Sequence, residues 1–403
     1  MNNGDKKMNV PRIRFKGFDG GWKITSFLNI AERISILANY RNLPCIEYED
    51  IISGENALNK DIFTKHTHKK GIAFSANDIL FGKLRPYLLN IYLPEFSGIA
   101  VGDFWVLRSV SVLPRFLLFL IFTPRFMRVA NISCGSKMPR SDWALVSESE
   151  FLVPSHDEQQ SIAQYFSSLD SLIKATEKKI ASFRQVKEAS LQAMFPAEGE
   201  TVPKVRFKGF EGEWKKEKLS KYAKRITRKN SNLETTLPIT ISSENGIVSQ
   251  TSFFNNVVAS SNLRGYYLIK RGEFAYNKSY SNGYPWGSVK RLDKYKMGAL
   301  STLYIVFELD AFISHEYAIS FFETNLWHKE VAMRAAEGAR NHGLLNISAD
   351  DFLDINILVP TEIAEQRKIA SYFTNLDKQI AIQTQRLEKL KQIKSACLDV
   401  MFV

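Results

Sequence analysis

The chain has 403 residues, of which 45% are hydrophobic and 24% charged, which is ordinary for a soluble globular protein, so it can bury a sizeable core. At about 100–200 residues per domain, we expect two to three folding units. Lysine and arginine together number 54 against 42 acidic residues, and the net charge of +12 favours a polyanionic partner such as nucleic acid. The three cysteines, Cys45, Cys134 and Cys397, are odd in number and far apart, which argues against a disulfide framework and a zinc site.

The sequence carries no signal for membrane insertion or export. The first eight residues are polar and lack the apolar core of a signal peptide. The longest uninterrupted apolar run, 116–122, is far shorter than the about 20 residues that a membrane span needs, so it predicts a buried helix. We therefore expect a cytoplasmic protein with no membrane partner.

Two sequence blocks occur twice. Residues 10–23 return as residues 202–215 with ten of fourteen positions identical, including a Phe-Lys-Gly-Phe motif and a tryptophan. In the second block, Glu-Gln, Ile-Ala, Tyr-Phe and Leu-Asp pairs at 158–170 recur with the same spacing at 365–377. Both copies of this block follow a Val-Pro step, and the stretch after each ends on Met-Phe. The chain therefore contains an internal repeat.

The repeats divide the chain into four pieces. We predict a first mixed domain at 1–155, a first long helix at 156–196, a second mixed domain at 197–360 and a second long helix at 361–403. The predicted fold class is α+β, with two mixed α/β domains separated by two long antiparallel coiled-coil helices. Because the Phe-Lys-Gly-Phe block both begins the chain and follows the first helix, placing the C-terminus beside the N-terminus would complete a pseudo-two-fold, circular repeat.

The long helices are predicted from two 38-residue stretches without proline or glycine, 158–195 and 365–402. At 1.5 Å per residue each would be about 57 Å long. Apolar residues near heptad spacing, with one polar residue at the same place in each copy, predict a coiled-coil seam. The predicted seam consists of Leu169, Ile173, Thr176, Ile180 and Phe183 in the first helix and of Leu376, Ile380, Gln383, Leu387 and Leu390 in the second.

We expect these helices to form an antiparallel pair that holds the two domains at a fixed distance. The alternative is that each helix packs only on its own domain. Ser155 and Glu158 have the spacing of a capping box at the start of the first helix, and Pro196 ends that helix.

The two regions between the repeats, about 24–150 and 216–356, have little sequence in common. Strands are predicted at 72–74, 79–81 and 104–107 in the first region and at 266–269, 273–276 and 303–307 in the second. Each region then becomes helical, near 113–130 and near 313–336. Similar flanks with unlike interiors indicate one architecture that reads two different targets.

Four probable loops in these regions combine cationic, amide, hydroxyl and aromatic side chains. Arginine and lysine can read guanine edges, asparagine can read adenine, and hydroxyl groups and cations can bind phosphates. The candidate DNA-binding residues are Lys83, Arg85, Tyr87, Lys137 and Arg140 in the first region and Asn277, Lys278, Ser279, Tyr280, Arg340, Asn341 and His342 in the second. The alternative for any one cation is a solvated surface charge, so the prediction depends on the clusters as wholes.

The motifs of catalysis are missing from the sequence. We find no GxxxxGK[ST] phosphate loop, no [DN]PP[FY] stretch of the amino-methyltransferases, no Pro-Asp step of the common nuclease core and no legible Ser/His/Asp set. His66 and His68 have no acidic or cysteine residue at ligand spacing, and Lys69 would repel a cation, so a solvated loop is predicted there and no metal site. We predict a chain without catalytic residues.

The sequence resembles the specificity subunits of type I restriction-modification systems over essentially its whole length. The most specific parts of the resemblance are the paired Val-Pro…Glu-Gln…Ile-Ala…Tyr-Phe…Leu-Asp blocks, the stretch 78–87 and the twice-used Phe-Lys-Gly-Phe with its tryptophan. The resemblance implies a non-catalytic subunit with two target recognition domains. Each would read one half of a gapped site in double-stranded DNA, and the paired helices would act as a ruler that sets the gap. The unlike interiors imply an asymmetric site.

The same resemblance implies the partners and a role in phage defence. Two methyltransferase (modification) subunits, which methylate adenine with S-adenosylmethionine, would dock on the helices. Motor-nuclease (restriction) subunits, which use ATP and Mg²⁺, would complete the restricting complex, and this chain would bind no cofactor itself. Two other classes stay open. A DNA enzyme would modify DNA alone, and a coiled-coil scaffold that does not bind DNA would show no steep salt dependence of DNA affinity.

Overall fold

The computed structural model describes residues 9–38, 43–65, 69–132, 138–254, 262–335 and 344–402. The chain divides into two compact units. Residues 1–178 together with 384–403 form unit 1, and residues 179–383 form unit 2. Both division points fall inside long helices, so each unit contains a part of each helix.

Unit 1 is a mixed domain followed by a long helix. Its elements are β1 (Lys23–Ser26), α1 (Phe27–Ile30), β2 (Ala31–Ile34), β3 (Leu37–Ala38), β4 (Cys45–Ile46), β5 (Gly71–Phe74), β6 (Ile79–Gly82), β7 (Ile91–Tyr92), β8 (Gly98–Ala100), β9 (Phe104–Ser109), α2 (Pro114–Phe122), α3 (Pro124–Ala130), α4 (Trp143–Glu148), β10 (Glu150–Val153) and the first part of α5 (His156–Met194). Two 3₁₀ turns, Tyr48–Asp50 and Pro86–Leu88, lie in its loops.

Unit 2 has a similar but not identical order of elements. Its elements are β11 (Lys215–Lys218), β12 (Ala223–Arg225), β13 (Pro238–Ser242), β14 (Gly246–Ser249), α6 (Gln250–Phe254), β15 (Tyr267–Lys270), β16 (Phe274–Asn277), β17 (Ser288–Arg291), β18 (Met297–Leu300), β19 (Ile305–Leu309), α7 (His315–Phe322), α8 (His328–Arg334), α9 (Ala349–Leu353), β20 (Asn356–Val359) and the first part of α10 (Ile363–Val400). Its 3₁₀ turns are Leu219–Lys221 and Leu263–Gly265.

Each unit contains three sheets of matching size. In unit 1 the strand orders are β1-β10, β2-β9-β6-β7 and β3-β5-β8-β4, and in unit 2 they are β11-β20, β12-β19-β16-β17 and β14-β13-β18-β15. All pairs are antiparallel except β4 with β8 and β13 with β18, which are parallel. The two-stranded sheets have equivalent registers, with Lys23 opposite Val153 and Lys215 opposite Val359. The shared flanks therefore build the same frame twice.

The strands predicted in both regions are present, with small shifts. The strand expected at 303–307 begins two residues later, as β19. The helix expected near 113–130 is two helices, because Thr123 has extended backbone angles (φ −68°, ψ 148°) and Pro124 follows it. A residue before proline is disfavoured in the helical region, and proline has no N–H to continue the hydrogen-bond ladder. The helix expected near 313–336 is likewise divided into α7 and α8.

The long helices are 39 and 38 residues long, close to the predicted 38 each. In unit 1 the start of α5 contacts the end of α10: Asp170 pairs with Lys394 at 2.6 Å, and Glu177 pairs with Lys391 at 2.7 Å. Since the partner number falls as the first number rises, these helix segments run antiparallel. All ten predicted seam residues are buried or half-buried.

Among the described residues, no helix combines the length and the apolar character needed to cross a membrane.

Candidate nucleic-acid interface

In unit 1, the loop after β6 forms a short backbone ladder with the segment before α4. Leu84 and Arg140 form an antiparallel bridge, Ser141 N donates to Lys83 O at 2.9 Å, and Arg85 N donates to Pro139 O at 2.8 Å. We call residues 83–88 and 138–141 bridge 1. The structure thus brings together two stretches that are more than 50 residues apart in sequence. Both had been singled out as candidate DNA-contacting loops.

Asp103 pairs with two cations of bridge 1. Its carboxylate accepts hydrogen bonds from Arg140 at 2.9 and 3.1 Å and lies 3.6 Å from Lys83 Nζ. Arg85, held in the left-handed backbone region (φ 50°), is exposed, and Tyr87 is 55% exposed. Bridge 1 therefore presents the exposed Arg85 and Tyr87 beside two cations, Lys83 and the exposed Arg140, whose charge is partly neutralised.

Unit 2 has the same ladder with different side chains. Strand β16 occupies the place of β6, Ser279 and Leu344 form the antiparallel bridge, and Leu345 N donates to Lys278 O at 2.9 Å. We call residues 278–284 and 344–347 bridge 2. Tyr280, at the position of Arg85 along the ladder, is 55% exposed. The predicted clusters of the two regions thus lie at equivalent positions of one architecture.

The tip of bridge 2 is a tight hairpin. Tyr284 N donates to Ser281 O at 2.8 Å, and the turn between them consists of Asn282 and Gly283. Gly283 has φ +78°, a conformation that glycine adopts at little cost and that the third position of a type II turn requires. Lys278 is half-buried, and its Nζ lies 3.4 Å from Ile347 O.

One candidate residue lies elsewhere than expected, and several lie outside the described residues. Asn277 was expected in a loop, but it is the last residue of β16 and 9% exposed, because its Oδ1 accepts a hydrogen bond from Ser279 N at 3.0 Å. It shapes the turn instead of facing outward. The candidates outside the described residues are Lys137, Arg340, Asn341 and His342, together with His66 and His68.

Hydroxyl groups behind each bridge were not predicted from the sequence. In unit 1, Tyr48 Oη lies between the backbones of Asp103 and Leu84. In unit 2, Ser243 Oγ lies 3.1 Å from Ser281 Oγ and 3.1 Å from Ser288 Oγ. No repeat or motif in the sequence marks either residue, so only the fold reveals them.

The repeated Glu-Gln pairs have a structural role that sequence reasoning missed. Gln159 Nε2 donates to Pro154 O at 3.1 Å, and its Oε1 accepts from Leu113 N at 2.9 Å. Gln366 does the same, with Pro360 O at 3.1 Å and Ser314 N at 2.8 Å. Each glutamine therefore ties the start of a long helix to the residue that precedes a shorter helix, α2 in unit 1 and α7 in unit 2.

The repeated Glu158 does not close the capping box that its spacing predicted. Its buried carboxylate accepts hydrogen bonds from Arg14 and from Trp22 Nε1, both in the first Phe-Lys-Gly-Phe block. In unit 2, Glu365 accepts from Arg206 in the same way. The two repeated blocks recur together because they bond to each other.

The repeated Tyr-Phe and Leu-Asp pairs connect the long helices within each unit. Tyr165 Oη lies 3.4 Å from Cys397 Sγ in unit 1, and Tyr372 Oη lies 2.9 Å from Ser190 Oγ in unit 2. The unit 2 counterpart of the pair between Asp170 and Lys394 joins Asp377 to Lys187 at 2.5 Å.

Unit 2 also contains a cluster of charges below bridge 2. Lys187 pairs with Glu323 at 2.8 Å as well as with Asp377. Burial alone would lower the pKa of Lys187, but these two carboxylates outweigh it and raise the pKa. Burial lowers the pKa of Lys290, on β17 in the same cluster. The cluster joins both long helices to α7 and the sheet that carries bridge 2.

No group of three or more histidine, cysteine or acidic side chains that could hold a metal ion occurs in the described part of the chain.

Comparison with solved structures identifies the fold. The type I restriction-modification S subunit from M. genitalium superimposes with a TM-score of 0.60 at 14% identity, over 98% of this chain and 99% of that one. A second structure, from a study of complex assembly and conformational transition of the type I R-M system, has a TM-score of 0.52 at 16% identity, over 94% of this chain and 96% of that one. A comparison with curated proteins gave no match. The chain therefore has the fold of the type I specificity subunits.

The sequence matches one family model over part of its length. Residues 265–392 match the family model described as "Type I restriction modification DNA specificity domain". The matched residues, about a third of the chain, include all of bridge 2 and the greater part of α10, so this part of the chain is similar to the type I specificity domains. The match and the fold agree with the family predicted from the sequence.

Proposed function

We propose that this chain reads an asymmetric, bipartite site in double-stranded DNA, with bridge 1 contacting one half and bridge 2 the other. The observation that carries the proposal is the equivalent ladder after β6 and after β16, built on matching sheets but bearing different side chains. Two copies of one frame with unlike exposed groups suit two half-sites of different sequence. The net charge of +12 favours binding to the phosphate backbone.

The proposed contacts divide into two kinds. Arg85 and Tyr280 lie at equivalent places on exposed ladders, so we assign them to base or sugar contacts. Lys83 and Arg140 share Asp103, and we assign them to phosphates, which their charges would reach at the edge of the ladder. Lys137, Arg340, Asn341 and His342 lie outside the described residues, just before residues 138 and 344 in sequence, and we retain them as candidates.

The long helices are proposed as the ruler between half-sites. Each helix contributes to both units, and within each unit the two helices are joined by a lysine–aspartate pair and by a tyrosine contact. The arrangement supports an antiparallel coiled coil with the predicted seam. It also supports a circular pseudo-two-fold repeat, because Ile13 N donates to Val400 O and Val205 N donates to Ala193 O. These are equivalent contacts of the two Phe-Lys-Gly-Phe blocks with helix ends.

The proposed partners follow from the family. Two methyltransferase subunits would dock on the helices, and motor-nuclease subunits would complete the complex. S-adenosylmethionine, ATP and Mg²⁺ would be bound by those subunits and not by this chain. We place the complex in the cytoplasm, where the DNA is.

The proposal is tested by mapping methyladenine at base resolution in cells that express this chain with its candidate methyltransferase subunit, against cells that lack this chain. A gapped, asymmetric motif that appears only with the chain present is expected. Arg85→Ala should then relax one half-site and Tyr280→Ala the other. The matched control is Arg115→Ala, which removes an exposed arginine of unit 1 that pairs with Glu95 outside bridge 1.

Two outcomes would contradict the proposal. If no motif appears although both proteins are soluble and associated, the chain is a scaffold. If Arg85→Ala and Tyr280→Ala change the same half-site, the two bridges do not read separate halves.

A further inference from the structure

The hydroxyl group of Tyr48 connects the two backbones that carry bridge 1. Tyr48 Oη donates to Asp103 O at 2.5 Å and accepts from Leu84 N at 3.2 Å. Leu84 forms the ladder with Arg140, and the carboxylate of Asp103 pairs with Lys83 and Arg140. The hydroxyl group of Tyr48 therefore fixes the distance between Leu84, on the ladder, and Asp103, whose carboxylate pairs with the cations of the ladder.

The ring of Tyr48 has little freedom to move. It stacks on Phe104 with ring centroids 4.5 Å apart and an interplanar angle of 23°. A Cβ atom added to Gly82 would lie 2.8 Å from Tyr48 Cε1, and one added to Gly102 would lie 3.3 Å from two ring carbons. The ring thus occupies a slot that exists because two neighbouring positions are glycine.

The backbone of Tyr48 is anchored as firmly as its ring. Tyr48 begins a 3₁₀ turn that ends at Asp50, and the fully buried carboxylate of Asp50 accepts a hydrogen bond from Glu47 N at 2.7 Å. The same carboxylate pairs with Lys60 at 2.7 Å and with Lys65 at 2.9 Å. This network anchors the turn that carries Tyr48.

The hydroxyl group keeps its proton in this environment. Burial raises the pKa of Tyr48 well above its ordinary value near 10. At neutral pH the group therefore donates to Asp103 O and accepts from Leu84 N at the same time, which a phenolate could not do.

We propose that Tyr48 is a positioning residue for the half-site read by bridge 1: it sets where the ladder stands relative to DNA without touching DNA itself. This inference rests on the proposed function of bridge 1. We expect its effect to be confined to one half-site, because the hydroxyl group that bonds to Ser281 of bridge 2 is that of Ser243, which carries no ring.

The test uses the complex with its methyltransferase subunits and the variant Tyr48→Phe, which keeps the stacked ring and removes the hydroxyl group. Initial methylation rates are measured on the cognate duplex and on duplexes with single base changes in each half-site. We expect the ratio of cognate to mismatch rate to fall about 5- to 10-fold in the half-site that Arg85→Ala also relaxes, within the range by which one base contact discriminates. The ratio in the other half-site should not change. Gly82→Ala, which forces the ring to shift, should relax the same half-site.

The matched control is Tyr92→Phe, which removes the hydroxyl group of another half-buried tyrosine of unit 1, on β7. It should leave both ratios unchanged. If Tyr48→Phe lowers cognate and mismatch rates by the same factor, Tyr48 merely stabilises the fold and the proposal is overturned. A wild-type complex that methylates no gapped motif would instead overturn the proposed function. If the wild-type complex methylates a gapped motif and the Tyr48→Phe variant has the same ratios of cognate to mismatch rate as the wild type, only the positioning role of Tyr48 is overturned.

Discussion

The guanidinium group of Arg14 donates two hydrogen bonds, at 2.7 and 2.8 Å, to the carboxylate of Glu158, which lies 144 residues further along the chain. The carboxylate is 1% exposed and also accepts a hydrogen bond from Trp22 Nε1 at 3.2 Å. A charged pair of this kind is stable only while all its hydrogen bonds are made, because a buried charge left without its partner is costly. The pair therefore holds the Phe-Lys-Gly-Phe block against the start of α5.

Glu158→Gln should destabilise unit 1 by about 2–3 kcal/mol, because it removes the negative charge opposite Arg14. Glu365→Gln is the matched variant in unit 2, where Arg206 makes the same pair. There, among the described residues, Trp214 Nε1 has no hydrogen-bond partner, so the carboxylate of Glu365 accepts one charge-assisted hydrogen bond fewer than that of Glu158. We expect it to cost about 1 kcal/mol less. The measurement is urea unfolding followed by tryptophan fluorescence, and equal losses in both variants would contradict the role given to Trp22.

Asp103→Asn should strengthen binding to DNA of any sequence. The substitution removes the carboxylate that partly neutralises Lys83 and Arg140, so both cations become available to phosphates. Each additional phosphate contact should make the slope of log affinity against log salt steeper by about 0.9. We expect an about 3- to 10-fold gain in affinity for non-cognate duplex at low salt, by the same counterion argument. The discrimination between cognate and non-cognate duplex should fall.

The control for this prediction is Glu95→Gln, which removes a carboxylate of unit 1 that pairs with Arg115 and leaves bridge 1 unchanged. Fluorescence anisotropy titrations at several salt concentrations give both slopes. An Asp103→Asn slope equal to that of Glu95→Gln would show that bridge 1 does not face DNA.

Asp50 should make the stability of unit 1 depend on pH in the acid range. Burial raises the pKa of Asp50, but the bonds from Lys60 and Lys65 and from Glu47 N outweigh it and hold the pKa below its ordinary value of 3.8. A carboxyl group with a lowered pKa in the folded state stabilises the fold above its unfolded pKa, and the contribution is lost as the pH falls through the folded value.

Asp50→Asn should therefore destabilise unit 1 by about 2–3 kcal/mol at pH 7. The difference in the free energy of unfolding between the variant and the wild type should disappear below pH 3.8. Thermal melts from pH 7 to pH 2.5 measure that difference. Glu49→Gln, at the exposed neighbouring carboxylate, is the control and should change little. A difference that stays constant across this range would show that the charge of Asp50 does not stabilise the turn that carries Tyr48.

The repeats predicted the frame of the fold, and the reason lies in the contacts. Residues such as Glu158 and Gln159 recur because each copy makes the same bonds, so their spacing marked both helix starts. The heptad pattern correctly predicted that Leu169 and Leu376 lie on covered faces of the long helices. Sequence spacing could not identify the partner of Glu158, however, because Arg14 reaches it only through the fold.

The candidate site was predictable only in part. Basic and aromatic residues in Gly- or Pro-containing loops located Arg85, Arg140 and Tyr280, but the ladders that join distant loops depend on sheet pairing. Asn277 was misplaced because a polar residue at the end of a strand resembles a loop residue in sequence. Tyr48 gave no sequence signal at all, since its role comes from the space left by Gly82 and Gly102.

Lengthening both long helices by one heptad should widen the gap between half-sites by about 3 base pairs, because seven residues add about 10.5 Å. The insertions belong after Lys178 and after Gln383, where each helix passes from one unit to the other, so that the ion pairs inside each unit are kept. A heptad also keeps the seam on the same face of the helix. Selection from randomised gapped duplexes with the assembled complex measures the gap without requiring methylation. An insertion in α5 alone puts the two helices out of register and should abolish selection, whereas the paired insertion should not. A selected gap that stays the same in the paired variant would rule out the helices as the ruler.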